Sequence, residues 1–108
     1  MNESENVKLV VFVPETHADI VREALGKSGA GGIGNYSFAS FSSKGVGRFK
    51  PEVGANPAIG SVGELEAVQE ERIEVVCPRE KIHEVLSALR AVHPYEEIAF
   101  DVYPLISL

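Results

Sequence analysis

With a single cysteine, Cys77, the chain cannot build an internal disulfide framework, so its stability must come from packing. Positive charge is scarce. Ten Lys and Arg against 16 Asp and Glu leave a net charge of −6, which argues against a general nucleic-acid binder. No apolar run is long enough to cross a bilayer, and Met1 to Asn6 is polar and acidic, without the apolar stretch of a signal peptide. Glycine is absent from both ends: all ten lie between Gly26 and Gly63. These absences predict a cytoplasmic protein that touches neither membrane nor nucleic acid. What is present, 108 residues of which 44% are apolar, suits one compact domain with its own core.

Along the chain, residues 2–6 are expected to fray. Val7 to Val13 reads as a strand with Leu9, Val11 and Val13 on one face and Val10 and Phe12 on the other. Apolar residues on both faces suit a central strand. Pro14 ends it. Thr16 is a candidate helix N-cap with Asp19 as a capping-box-like partner, and Val21, Ala24, Leu25 and Ser28 share one face of a helix over 16–28. A second strand is expected over 35–43, with a bulge where its alternation breaks between Phe38 and Phe41. Ser43, Lys44 and Gly45 read as a turn, 46–50 as a short strand, and Pro51 to Gly60 as loop. Glu64 to Cys77 is the next strand. Pro78 stops it and opens a helix with the stripe Ile82, Val85, Leu86, Leu89 and Val92. His93-Pro94 ends that helix, and Ile98 to Leu105 is the last strand.

The order is βαββαβ, and its halves match at an offset of 64 residues: Pro14 with Pro78, Val21 with Val85, Ala24 with Ala88, Leu25 with Leu89 and Tyr36 with Phe100. A strand–proline–helix–strand unit used twice predicts an α+β, ferredoxin-like fold. Its four-stranded antiparallel sheet would carry both helices on one face. Val10, Phe12 and Val76 would then form an uncovered apolar side, which an oligomer would hide.

Gly29-x-Gly31-x-x-Gly34 matches a dinucleotide-binding fingerprint by letter, but it follows a helix and opens a strand. The fingerprint needs the reverse, so these glycines are read as turns. His17, His83 and His93 lack the spacing of a metal pair, H-E-x-x-H and G-x-S-x-G are absent, and no histidine stands near the serines Ser37 to Ser43. His93-Pro94-Tyr95-Glu96-Glu97 is denser. His93, Tyr95, Glu96 and Glu97 would suit a cation or polar ligand, or simply a helix stop packed on the sheet. Lys27, Lys44, Arg48 and Lys50 against Glu52 leave residues 27–63 at +3 and the remainder at −9. Lys44, Arg48 and Lys50 with the glycine amides would attract a small anion, or would merely keep a loop solvated.

The run from Gly29 to Pro78 followed by HPYEEIAFDVYPL, with its motifs GxIGNY, GxFxPxxGAxPxIG, RIE and HPYEE, resembles the Nif-three-like family. These are the dimetal-centre proteins also labelled GTP cyclohydrolase I type 2 homologues. The likeness runs from Val7 to Leu105 and is to the domain inserted in those longer proteins. Their metal-binding domain has no counterpart here, so the resemblance implies neither a dimetal site, nor a cofactor, nor a hydrolase activity. The inserted domain is similar to PII signalling proteins and CutA, which are ferredoxin-like and trimeric. With residues 1–6 read as a disordered lead, the resemblance implies 7–108 as a single PII/CutA-like domain. It also implies a long glycine-rich loop, Gly45 to Gly63, between strands two and three, and a homotrimer. The leading expectation is a non-catalytic binding or regulatory module for a protein partner or a small anionic ligand. The alternatives are a divalent-metal-binding protein of CutA type, resting on His93, Tyr95 and Glu96, and an accessory subunit of a dimetal hydrolase.

Overall fold

Two prolines set the rhythm of the chain. In the computed structural model, which describes all 108 residues, Pro14 closes strand β1 (Asn2–Pro14) and Pro78 closes β3 (Glu66–Pro78). Each adopts φ near −55°, and each is followed by one 3₁₀ turn, Glu15–His17 or Arg79–Lys81. That turn winds on into α1 (Ala18–Lys27) or α2 (Ile82–Val92). Proline suits this place because its ring presets φ and it needs no amide donor at a helix start. The 64-residue repeat therefore holds from Pro14 through the helix start. It fails after the helix: Phe100 begins β4 (Phe100–Ser107), whereas its counterpart Tyr36 lies outside any strand.

With β2 (Phe41–Phe49) the order is βαββαβ, and the sheet runs β2-β3-β1-β4 with every neighbour antiparallel. The expected fold is the observed one. Val7, Leu9, Val11 and Val13 of β1 and Ile73, Val75 and Cys77 of β3 share one sheet face. They pack against Ala18, Val21 and Leu25 of α1 and Val85, Leu86 and Leu89 of α2. Both helices therefore lie on that face. Each fully buried side chain of this size contributes about 1.5–3 kcal/mol relative to staying exposed.

Several local expectations are corrected. The N-terminus does not fray: Asn2 pairs with Ser107 and Glu3 with Ile106, so β1 begins at Asn2. Thr16 caps nothing. Its hydroxyl meets the His17 ring, and Asp19 pairs with Arg22 at 2.6 Å. No strand spans 35–43, and the break between Phe38 and Phe41 is not a bulge. Residues 29–38 fold into turns instead, with Gly29, Gly31, Gly34 and Phe38 at positive φ. Phe38, at φ 61°, lays its ring over Gly26, where a Cβ would collide with it. That packing holds a conformation that non-glycine residues rarely adopt. The predicted turn at Ser43–Gly45 is the middle of β2, with Ser43 opposite Arg72 and Gly45 opposite Glu70. The ladder to β3 outweighs the low strand preference of glycine. The loop between β2 and β3 is consequently 50–65, shorter than 45–63 at its start.

The face opposite the helices is also less bare than expected. Val10 is fully buried within the chain itself. Its cross-strand partners are Glu74 and Asp101. Arg72 and Lys8 reach Glu74 at 3.3 and 3.8 Å, and the Arg72 guanidinium lies 5.7 Å from the centre of the Phe12 ring. Strand alternation puts Lys8 and Arg72 on the same face as Val10, where their charges pair with Glu74. Phe12 and Val76 are left half-buried.

Candidate functional site

The end of α2 builds one wall of a cleft. His93 leaves the helix in an extended conformation (ψ 135°), as the residue before a proline must, while its amide still donates to the Leu89 carbonyl. Its ring is buried, with Nε2 2.8 Å from the Phe12 carbonyl and Nδ1 accepting from the Tyr95 amide at 3.1 Å. These partners require Nε2 to carry the proton and Nδ1 to be bare. Burial lowers the His93 pKa below the ordinary imidazole value, in keeping with a neutral ring, although the Phe12 carbonyl and the Glu70 charge pull the other way. His93 thus bolts the end of β1 to the segment leading into β4, helped by the Phe12 amide donating to the Ala99 carbonyl.

Tyr95 is thereby turned back over the open face of the sheet. Its ring stands edge-on to Phe49, 5.7 Å between centres, and its hydroxyl donates to Glu70 Oε2 at 2.9 Å. Burial, and then the Glu70 carboxylate, push the phenol pKa well up, so it remains a donor. Glu70 lies over Gly47, where any Cβ would run into its carboxylate. The glycine is needed for close approach, not for φ.

Loop 50–65 forms the opposite wall. Its neck is closed by the Gly63 amide on the Pro51 carbonyl at 2.7 Å, and its middle is tied down by the Asn56 amide on Glu96 Oε1 at 2.8 Å. Between loop and sheet lies a cleft of about 370 Å³ lined by Phe12, Phe49, Pro57, Ile59, Glu70 and Tyr95, among others. Cavities of this size and apolar lining are the usual seats of small ligands.

The two expected groups of residues, some 45 positions apart, meet here. Arg48, Lys50, Tyr95, Glu96 and Glu97 all line the cleft. Lys44 does not. It sits mid-strand beside a neighbouring depression of about 310 Å³ that shares Phe12, Gly47 and Glu70 with the first. His93 lies beneath the wall, not in it. Lys50 is drawn to Glu52 at 3.5 Å. Lys44 and Arg48 belong to β2, so they do not project from a loop as the sequence suggested. Glu70 and Phe12 were missed as site residues. Strand alternation puts them on the open face, but nothing local marks where Tyr95 and the loop land.

Both His93 nitrogens are engaged, the Cys77 thiol is buried on the helix side with its pKa raised by desolvation, and Ser42 Oγ accepts from Arg22. No three His, Cys, Asp or Glu side chains converge as a metal site requires.

No family model matches the chain. Among curated proteins it is 58% identical over 98 residues to the GTP cyclohydrolase 1 type 2 homolog of Halalkalibacterium halodurans, covering 91% of this chain and 26% of that protein. It is 53% identical over 98 residues to that of Bacillus subtilis, again covering 91% and 26%. The chain thus spans about a quarter of the length of these relatives. Among solved structures, a Bacillus cereus protein related to NIF3 superposes with a TM-score of 0.84 at 50% identity, over 99% of this chain and 27% of that one. The divalent cation tolerance protein CutA from Archaeoglobus fulgidus gives 0.70 at 18% identity (94% and 85% covered). The B. subtilis GlnK-ATP complex gives 0.63 at 15% (97% and 84%). At those identities CutA and GlnK speak for the fold alone. The chain is similar, in sequence and fold, to one segment of the Nif-three-like GTP cyclohydrolase 1 type 2 homologues, a segment with the PII/CutA-like architecture.

Proposed function

We propose that the chain is a non-catalytic binding or regulatory module that takes a small ligand in the cleft between loop 50–65 and the open sheet face. It works as a homotrimer in the cytoplasm. The observation that supports this most is the convergence of Phe49, Tyr95, Glu96 and the loop into one walled cavity. GlnK, whose fold it shares, was captured with ATP, so a small-molecule role is in keeping with the architecture. Sheet edges β2 and β4 and the exposed Tyr103 and Ile106 offer surface for assembly. The burial of Val10 within one chain removes one of the apolar residues that would have demanded it.

Native mass spectrometry of the chain isolated from cell extract tests both parts. A trimer mass with a retained small molecule supports the proposal. A monomer that carries nothing, with no heat on titration of nucleotides, phosphate or amines, overturns it. A second reading is favoured by one finding, that the chain spans only about a quarter of its relatives. It would serve as an accessory part of a dimetal hydrolase. Co-purification with a dimetal-centre chain under conditions where no ligand is retained would favour that role.

A further inference from the structure

Two adjacent glutamates on β3 are buried, and only one has a counter-ion. Glu71, on the helix side, meets Arg22 at 2.6 Å. Glu70, on the open side and 8% exposed, belongs to none of the chain's ion pairs. Its hydrogen bond from Tyr95 engages Oε2, Oε1 lies toward Gly47, and the residue lines the cleft. A desolvated carboxylate without a cation is costly to the fold, and such a charge is retained where something else offsets it.

The surroundings say what that something is. The rings of Phe49 and Tyr95 line the cleft beside that of Phe12, one face of which already carries Arg72, and aromatic rings attract organic cations. The lining carries Glu52, Glu70, Glu96 and Glu97 against Arg48 and Lys50, and Lys50 is already held by Glu52. The cleft is therefore acidic although the surrounding glycine-rich segment is basic, which is unfavourable for an anion. Its apolar wall, Pro57 and Ile59, asks for a hydrocarbon body, and no three of its carboxylates converge as a bare metal ion requires. We infer that the cleft takes a small organic cation, a primary ammonium or guanidinium on an apolar body, with its charge seated on Glu70 between the aromatic rings. This rests on the reading of the cleft as the ligand site.

The test is a titration of the isotopically labelled full chain, followed by amide NMR, with benzylammonium, its neutral isostere benzyl alcohol, inorganic phosphate, ATP and zinc ion. The expected result is benzylammonium shifting amides of residues 50–59 and 95–99, with benzyl alcohol at least tenfold weaker. Glu70→Gln should erase that tenfold preference while leaving the spectrum outside the cleft unchanged. The charged-versus-neutral comparison on the unsubstituted chain stands even if Glu70→Gln fails to fold. Equal binding of the two isosteres, or an undiminished preference in Glu70→Gln, overturns the inference while the cleft remains a ligand site. So does phosphate, ATP or zinc moving those amides when benzylammonium does not. If no probe moves them, the inference and the cleft reading fall together.

Discussion

Removing one oxygen from Tyr95 isolates the contact on which the cleft depends. Tyr95→Phe keeps the ring, its edge-on packing against Phe49 and its 5.2 Å approach to His93. It deletes only the hydroxyl that donates to Glu70 Oε2 at 2.9 Å. Hydrogen bonds to charged groups contribute about 1.5–3 kcal/mol, and this acceptor has no other donor. We expect a loss of about 2–3 kcal/mol, and a fall in Tm of roughly 10 °C or more for a domain of this size. The loss must depend on Glu70. In a Glu70→Ala background the same substitution should cost under about 1 kcal/mol, giving a coupling energy of about 1.5–2 kcal/mol in a double-mutant cycle. Urea unfolding followed by far-UV circular dichroism measures all four variants. Protein concentration must be fixed, because any assembly makes stability concentration-dependent. A Tyr95→Phe loss below about 0.5 kcal/mol, or an equal loss in both backgrounds, would refute the argument that Tyr95 satisfies a buried carboxylate.

Four further outcomes follow from the same geometry. Gly47→Ala should destabilise by about 1–3 kcal/mol by pushing Glu70 off its seat, whereas Gly45→Ala, where nothing lies within 4 Å of a new Cβ, should be nearly neutral; thermal melts of the pair check the contrast. Because burial depresses the His93 pKa, the unfolded chain binds a proton that the folded one refuses, so stability should decline as pH falls below about 6.5. That acid limb should flatten in His93→Gln. The raised Tyr95 pKa works at the other end: the unfolded chain loses its proton first, so stability should fall above about pH 10, less so in Tyr95→Phe. Arg22→Ala, which strands Glu71 and releases Ser42, should cost about 1–3 kcal/mol, less than a fully buried pair because Arg22 is partly exposed; chemical denaturation at low and high salt reads it.

Much of the architecture was legible in one dimension because it is set by local rules. Alternation in Val7 to Val13, the stripe from Ile82 to Leu89, and prolines at 14 and 78 that stop strands are properties of neighbours in the chain. So the element order, both helices and their shared sheet face could be read directly. The dense run His93 to Glu97 and the cations Arg48 and Lys50 were visible as candidates for the same reason, since composition marks them.

What only the tertiary structure decided is which of these residues meet, and what charge results. Gly45 looks like a turn residue until β3 supplies the ladder that makes it strand, and a frayed N-terminus becomes strand when β4 returns beside it. Val10 looks uncovered in the sequence and is fully buried once the chain has folded. The anion-attracting segment becomes the rim of an acidic cleft because Glu70, Glu96 and Glu97 arrive from elsewhere in the chain. Sequence spacing carries the periodicity of backbone elements. The desolvation of a carboxylate and the identity of its partners arise from contacts between residues such as Glu70 and Tyr95, 25 positions apart, and exist only once the chain has closed around them.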